Sequence, residues 1–348
     1  MPHSERPLRA VLVGCGSMSR AWLDAARAIS NLEIVGLVDL VAPAAYHRAA
    51  EYNLTRAVVS DELTRVLDAT TPDIVFDVTV PEAHTDVTLT ALAHGCHVLG
   101  EKPLADSMAN ARRMVAAAQA AGRLLAVIQN RRYNAEIRRL RHFLASGALG
   151  PLTTINCDFY VGPHFGGFRD KMKHPLLLDM AIHTFDAARL LTGADPVSVY
   201  CKEWNPAGSW YAHGASAVAV FEMTGGIVFT YRGSWCAEGL PTSWEAAWRV
   251  MGTRGAATWD GYDNIAAEVV GGTGGFVSRV EEVLVPLLPR ENRTHGHADI
   301  IREFLGCVRN GGTPETICTD NIKSLAMVFG AIESAEEDRR VLIDVEAK

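Results

Sequence analysis

The chain has 348 residues, 48% of them hydrophobic and 21% charged, with 30 Gly and 15 Pro, a globular composition that excludes disordered, collagen-like and fibrous classes. At about 150 residues per domain the length predicts two domains, each able to bury a core without disulfide staples. Basic residues number 33 and acidic residues 40, a net charge of −7 with His neutral, which excludes the electrostatic footprint of a nucleic-acid backbone binder.

Met1 to Arg9 is polar and runs directly into a strand pattern, without the apolar stretch of a signal peptide. From Arg9 to about Asn130 short runs rich in Val, Ile and Leu alternate with longer helical patterns, which predicts parallel strands joined by crossover helices. The runs are Ala10–Val13, Ile34–Val38, Ala57–Val59, Ile74–Val80, His97–Leu99 and Leu124–Ile128. The clearest helix between them is Met108–Ala121, with Asp106 as the expected N-cap and Gly122 as its stop. Six such strands make a doubly wound α/β sheet.

The first strand ends in Gly14, Cys15, Gly16, Ser17, Met18 and Ser19, followed by a helix through Ile29. This is where a dinucleotide fingerprint belongs: Gly14 for the tight turn, and Gly16 to let backbone N–H groups reach a pyrophosphate at the helix N-terminus. Ser19 stands where the third glycine is expected, and its small side chain still permits close helix–strand packing. Strand two ends at Asp39, 25 residues after Gly14, where an acid accepts from the adenine ribose hydroxyls. That carboxylate repels a 2′-phosphate, and Leu40, Val41 and Ala42 supply no arginine to receive one, so NAD is expected over NADP.

After Asn134 one more helix runs to Ser146, then a strand-like run from Leu152 to Val161, and a helix from Leu176 to Leu191. Val197 to Val285 reads as several strands with period-two alternation, as in Ser216–Glu222 and Ile227–Arg232. Helices near Ala298–Val308 and Asn321–Glu336 precede a last strand, Val341–Val345. The expected division is therefore a Rossmann domain over 1–130 and an α+β domain over 131–348 with an open, mostly antiparallel sheet. Seven cysteines without a close pair read as reduced, mostly buried thiols, suggesting neither a disulfide framework nor a metal site. No apolar run reaches about 18 residues, so the expected location is the cytoplasm, with no membrane partner.

Asp179 and His183 stand at i and i+4 on the helix after Leu176, with Asp186 at i+7. A carboxylate beside an imidazole fixes its tautomer and suits it to general acid/base work. The loop before that helix carries His164, Arg169, Lys171, Lys173 and His174, a basic excess able to meet a substrate carboxylate. Six of seven tryptophans fall in the second half; most are expected in packing, with Trp210 and Tyr211, near Gly208 and His213, as the better substrate candidates.

Strand five runs into Glu101, Lys102 and Pro103, preceded by Thr79, Val80, Pro81 and His84 and followed by Asn130, Arg131, Arg132 and Tyr133. In this order of segments, over nearly the whole chain, the sequence resembles the Gfo/Idh/MocA oxidoreductases, which carry Glu-Lys-Pro after the fifth strand of a dinucleotide-binding domain. The resemblance implies that Lys102, Asp179 and His183 meet beside the nicotinamide, with His183 as base, Lys102 as the cation polarising the hydroxyl, or these two exchanged. Asp179 would orient His183 or a substrate hydroxyl. It also implies that Thr79, Pro81, His84, Glu101 and Lys102 join Gly14, Gly16, Ser17, Met18 and Asp39 at the cofactor. Arg131, Tyr133, His164 and Arg169, with Asp179 and His183, are the candidate substrate contacts, and a homodimer or homotetramer is implied. The leading reading is an NAD-dependent dehydrogenase of a secondary hydroxyl on a sugar, sugar derivative or cyclitol. The alternatives are a redox-neutral, NAD-dependent glycoside-cleaving enzyme and a non-catalytic NAD-binding sugar sensor.

Overall fold

The computed structural model describes residues 6–272, 274–289 and 296–345. The chain forms two compact units, Met1–Tyr133 with His295–Ile322, and Asn134–Thr294 with Lys323–Lys348.

In the first unit β1 (Leu8–Val13), α1 (Ser19–Arg27), β2 (Leu32–Val38), α2 (Ala42–Glu51) and β3 (Val58–Ser60) form one half. The other half holds α3 (Leu63–Thr70), β4 (Ile74–Asp77), α4 (Pro81–Ala93), β5 (His97–Gly100), α5 (Met108–Ala121) and β6 (Leu125–Val127). All strands run parallel in the order β3-β2-β1-β4-β5-β6, the doubly wound sheet expected from the sequence. Because both faces are covered, strands read as apolar runs rather than alternations; all four residues of β4 are buried. Sheet growth reverses between β1 and β4, and ligands of such sheets bind beyond the strand ends at that switch point.

Two local expectations change. β4 stops at Asp77 rather than Val80, because the Asp77 carboxylate accepts from both the backbone N–H (3.1 Å) and the hydroxyl (2.5 Å) of Thr79 and turns the chain out of the sheet. The N-cap of α5 is Ser107, whose Oγ accepts from Asn110 N at 3.2 Å, whereas Asp106 accepts from the Asn110 side chain at 2.7 Å. Gly122 closes that helix in the left-handed region at φ +61°, as a C-terminal glycine does.

A single cut after residue 130 does not describe the units, since His295–Ile322 belongs with the first. The reason is hydrophobic: α8 (Gly296–Asn310) is amphipathic, and its Ile300, Ile301, Phe304 and Leu305 are buried in one cluster with Leu12, Trp22, Leu23, Phe76 and Tyr133. The segment also reaches the sheet edge, where Val127 N donates to Thr316 O at 3.1 Å.

The second unit is built on a nine-stranded sheet in the order β14-β13-β12-β11-β7-β10-β9-β8-β15. Its strands are β7 (Leu152–Tyr160), β8 (Pro196–Trp204), β9 (Ser216–Met223), β10 (Val228–Ser234), β11 (Ala247–Gly252), β12 (Gly255–Trp259), β13 (Ile265–Gly272), β14 (Arg279–Glu282) and β15 (Val341–Leu342). Pairing is antiparallel except between β7 and β10, which fits the mostly antiparallel sheet expected. β9 alternates buried and exposed residues from Ala217 onward, the period of a sheet with one covered face. Helix α6 (Ala135–Ala145) precedes this sheet. The helix expected over Leu176–Leu191 opens with a π-helical turn, Leu176–Ala181, before α7 (Ile182–Thr192), and the last strand is only two residues long. Trp235, Trp248 and Trp259 are buried, as packing residues. All seven cysteines are free thiols. Among the described residues no helix is long and apolar enough to cross a membrane, and no cluster of His, Cys, Asp and Glu is placed to hold a metal ion.

Phe304 is fully buried in the first unit's core, so Phe304→Ala is expected to destabilise that unit by about 3–5 kcal/mol. Denaturant titration followed by the fluorescence of Trp22, a member of the same cluster, measures it.

Candidate functional site

The loop between β1 and α1 is shaped by two glycines with different jobs. Gly14 has φ +92°, and a Cβ there would lie 2.5 Å from Val78 O, so only glycine lets β1 turn against the end of β4. At Gly16 a Cβ would meet nothing within 4 Å. The fold itself does not require glycine there, and the open space is what a group approaching the backbone needs. Gly16, Ser17 and Met18 are exposed, and Met18 gives the helix no side-chain cap, which leaves the positive helix end to a ligand. Ser19, in place of the third glycine, is fully buried and its hydroxyl donates to Gly16 O at 2.6 Å. A dinucleotide diphosphate fits these residues.

Asp39 follows β2 and faces the same loop. Its Oδ2 accepts from Cys15 N at 2.7 Å and its Oδ1 from Val41 N at 2.8 Å, so the carboxylate shapes the loop. Burial first, and then Asp39, push the Cys15 thiol up to about 12, which disfavours the thiolate that a nucleophile needs. A residue without any motif completes the loop: Arg48 of α2, 5% exposed, donates to Cys15 O at 3.2 Å and Gly16 O at 3.0 Å. It escaped the sequence reading because a lone arginine in a helix carries no spacing signal.

At the ends of β4 and β5 the expected cofactor residues divide. Thr79 and Pro81 are half-buried at the start of α4. His84 is 2% exposed and braces two loops, with Nδ1 2.9 Å from Pro103 O and Nε2 3.2 Å from Thr79 O. Asp77 beneath them is pushed above the usual carboxylate range by burial. Glu101 turns inward, accepting from Trp22 Nε1 at 2.7 Å, with His297 Nε2 3.9 Å away. Burial alone would raise the Glu101 carboxyl, but nearby His297 and the hydrogen bond from Trp22 outweigh it and hold it below its ordinary range. Lys102 is half-buried, its backbone N–H held by Glu101 Oε2 at 3.2 Å.

Among the candidate substrate contacts in this unit, Arg131 lies in the 3-10 turn Asn130–Tyr133. Tyr133 is 4% exposed and its hydroxyl donates to Glu303 of α8, while Arg132 pairs with Asp320 at 3.2 Å. Tyr133 thus serves the join between this turn and α8.

In the second unit Asp179 sits in the π-helical turn and His183, 7% exposed, in the first turn of α7. Asp179 Oδ2 accepts from Arg169 Nε at 2.7 Å, and the Arg169 guanidinium lies 5.1 Å from the ring centre of Phe165 and 4.7 Å from that of Phe168. Phe165 in turn packs on Trp235 and Trp244. Phe165, Phe168 and Trp244 keep 52, 68 and 44% of their surface exposed, an aromatic surface that the sequence reading did not single out. Trp210 and Tyr211, the expected aromatic contacts, instead both donate to Pro163 O at 3.2 Å, and Tyr211 is 3% exposed and stacked on Trp235. Asp186 accepts from Ser324 at 2.7 Å.

The basic loop is matched by acids. His164 stacks on Trp210 and stands 3.2 Å from Glu238. His174 lies 2.5 Å from Glu203 and 3.3 Å from Glu336. The hydrogen bond with Glu203 raises His174 above its ordinary value despite burial.

A doubly wound parallel sheet with a glycine loop open at the switch point defines a dinucleotide-binding protein. Residues 8–129 match the family described as oxidoreductase family, NAD-binding Rossmann fold, and residues 137–258 match the GFO/IDH/MocA C-terminal domain. The chain belongs to the Gfo/Idh/MocA oxidoreductase family. It is 28% identical to D-apiose dehydrogenase of Paraburkholderia graminis over 96% of this chain and 89% of that protein. It is 25% identical to 1,5-anhydro-D-fructose reductase of Ensifer adhaerens over 93% of this chain and 95% of that one. Its fold matches an oxidoreductase from Agrobacterium radiobacter, solved with NAD+, L-tartaric acid and magnesium, with TM-score 0.83 at 22% identity over 97% of this chain and 98% of that one.

Two predictions follow from this geometry. Gly14→Ala is expected to destabilise the protein by about 2 kcal/mol or more through backbone strain and collision, whereas Gly16→Ala leaves the melting temperature unchanged and weakens NAD binding about tenfold; paired melting and titration measurements separate them. His174, raised in the folded state, contributes stability that is fully present below its unfolded value of about 6.5 and is lost as pH rises through the folded value. The stability gap between the wild type and His174→Gln is therefore expected to be widest below about pH 6.5 and to shrink as pH rises above it in denaturant titrations.

Proposed function

We propose that the protein is an NAD-dependent dehydrogenase that oxidises a secondary hydroxyl of an uncharged sugar, sugar derivative or cyclitol. The observation that carries this reading is the junction after β5, where Glu101 turns into the core and leaves Lys102 at the strand end in a family whose first domain binds NAD. The names of two relatives, a D-apiose dehydrogenase and a 1,5-anhydro-D-fructose reductase, support the substrate class.

When bound, NAD supplies the hydride acceptor, C4 of its nicotinamide. Gly14, Gly16, Ser17 and Met18 would hold its diphosphate, Asp39 its adenine ribose, and Thr79, Pro81 and Lys102 its nicotinamide half. Loss of hydride from an alcohol carbon builds charge on its oxygen, so the hydroxyl proton must leave. His183 takes that proton at an imidazole nitrogen, while Lys102 donates a hydrogen bond to the same oxygen and stabilises the developing negative charge. Asp179, held by Arg169, accepts from a neighbouring substrate hydroxyl. The rings of Phe165, Phe168 and Trp244 suit the apolar face of a sugar or cyclitol ring.

An uncharged substrate fits the loop better than a carboxylate does. Arg169, His164 and His174 each already have an acidic partner, which leaves the exposed Lys171 and Lys173 as the cations of that loop without such a pairing among the described residues. The Asp39 carboxylate, with two backbone N–H groups fixing its place, supports NAD over NADP. A homo-oligomer is supported by Tyr200 and Val220, register partners on β8 and β9 that are 45 and 42% exposed on the outer sheet face beside Val218.

Absorbance at 340 nm with NAD, and separately NADP, against a panel of sugars, cyclitols and uronates tests the reading. Net NADH formation with an uncharged polyol is the expected result. Substrate cleavage without net NADH would favour the redox-neutral alternative, and NAD binding without turnover would favour a sensor. Lys102→Met is expected to lower kcat about a thousandfold and to weaken NAD by less than about tenfold, since the glycine loop is untouched.

A further inference from the structure

Arg48 is the buried charge that the glycine loop does not obviously require. Its side chain is 6% exposed, its Nη1 is paired with Glu51, and its Nε–H has no hydrogen-bond partner among the described residues. An orphan donor on a buried cation is unfavourable, and an apolar residue of similar volume would avoid it. What the arginine does that an apolar residue cannot is hold two consecutive carbonyls: Nη2 donates to both Cys15 O and Gly16 O.

That grip fixes the other side of the loop. In a trans peptide the C=O and the N–H of one unit point in opposite directions. The carbonyl of Cys15 shares its peptide with the N–H of Gly16, and the carbonyl of Gly16 with the N–H of Ser17. With both carbonyls drawn to one guanidinium, both N–H groups turn away from it, and two successive N–H groups aimed the same way form an anion-binding concavity. Residue 16 has no side chain, and nothing lies within 4 Å of where its Cβ would be.

The cation is itself held in place. Glu51, one turn on in α2, takes Arg48 on one oxygen and is shared with Arg20, whose Nε is 2.8 Å from its other oxygen. Asp39 holds the N–H of Cys15 while Arg48 holds its carbonyl, so the residue between the two glycines is fixed at both ends.

We propose that Arg48 is a cofactor-positioning residue, which presets the N–H groups of Gly16 and Ser17 toward the diphosphate of the dinucleotide. It touches the loop and not the reacting atoms. The proposal rests on the NAD-binding fold alone and is independent of which alcohol is oxidised.

Calorimetric titration of Arg48→Met and Arg48→Lys with NAD and ADP-ribose, and competition by adenosine, tests it, with melting curves to confirm folding. Arg48→Met is expected to weaken NAD and ADP-ribose by about tenfold to a hundredfold, with adenosine unchanged and Arg48→Lys intermediate. A folded Arg48→Met that binds ADP-ribose as the wild type does, or that loses adenosine in the same proportion, overturns the proposal. Should Arg48→Met fail to fold, Arg48→Lys and Glu51→Gln carry the test on the same ligands. A selective loss of the diphosphate-bearing ligands supports the proposal, and equal binding of all of them, or an equal loss of all, rejects it.

Discussion

The first unit depends on how closely the backbone at Gly14 approaches the carbonyl of Val78. That contact is possible only without a side chain, and it sets β1 and β4 side by side at the one place where the sheet reverses its direction of growth. The strand ends on either side then open outward together. The glycine loop, the Thr79 turn and the lysine after β5 all leave the sheet at its carboxyl edge because of that pairing.

Around this edge the polar groups are arranged in tethered sets rather than as isolated charges. Asp39 and Arg48 grip the same residue from two directions. His84 joins the loops after β4 and β5 through their carbonyls, and Glu101 joins β5 to α1 and α8 through Trp22 and His297. The second unit repeats the device, with Arg169 on Asp179 and His174 between two glutamates. A buried or half-buried charge with its partners in place rigidifies its surroundings, and one left alone is destabilising. Asp179 and His183 are thus carried on a helical segment whose approach is tied down at its N-terminal end.

The sheet was legible because its strands are buried on both faces, so each reads as an apolar run closed by a helical pattern. Gly14, Gly16 and Asp39 were legible because their spacing is short and dictated by backbone geometry. Arg48, Trp22 and His297 were not, since each acts on a group brought near by folding, and His297 meets Glu101 across almost two hundred positions. The pairing of the basic loop was not legible for the same reason: its residues are close in sequence, while Glu203, Glu238 and Glu336 arrive from other elements. Trp210 and Tyr211 looked available because they stand in a loop, yet both bond the carbonyl of Pro163. Asp106 gave way to Ser107 as a cap because one position decides which side chain reaches the free N–H of the helix.

The return of α8 to the first unit separates the order of synthesis from the order of assembly. A ribosome adding about 5–20 residues per second takes roughly ten to thirty seconds between Tyr133 and the segment that fills the space beside Trp22. Until then the residues of the first unit that pack against Ile300, Ile301, Phe304 and Leu305 lack those partners. The nucleotide-binding unit is therefore completed only after nearly all of the other unit has been made.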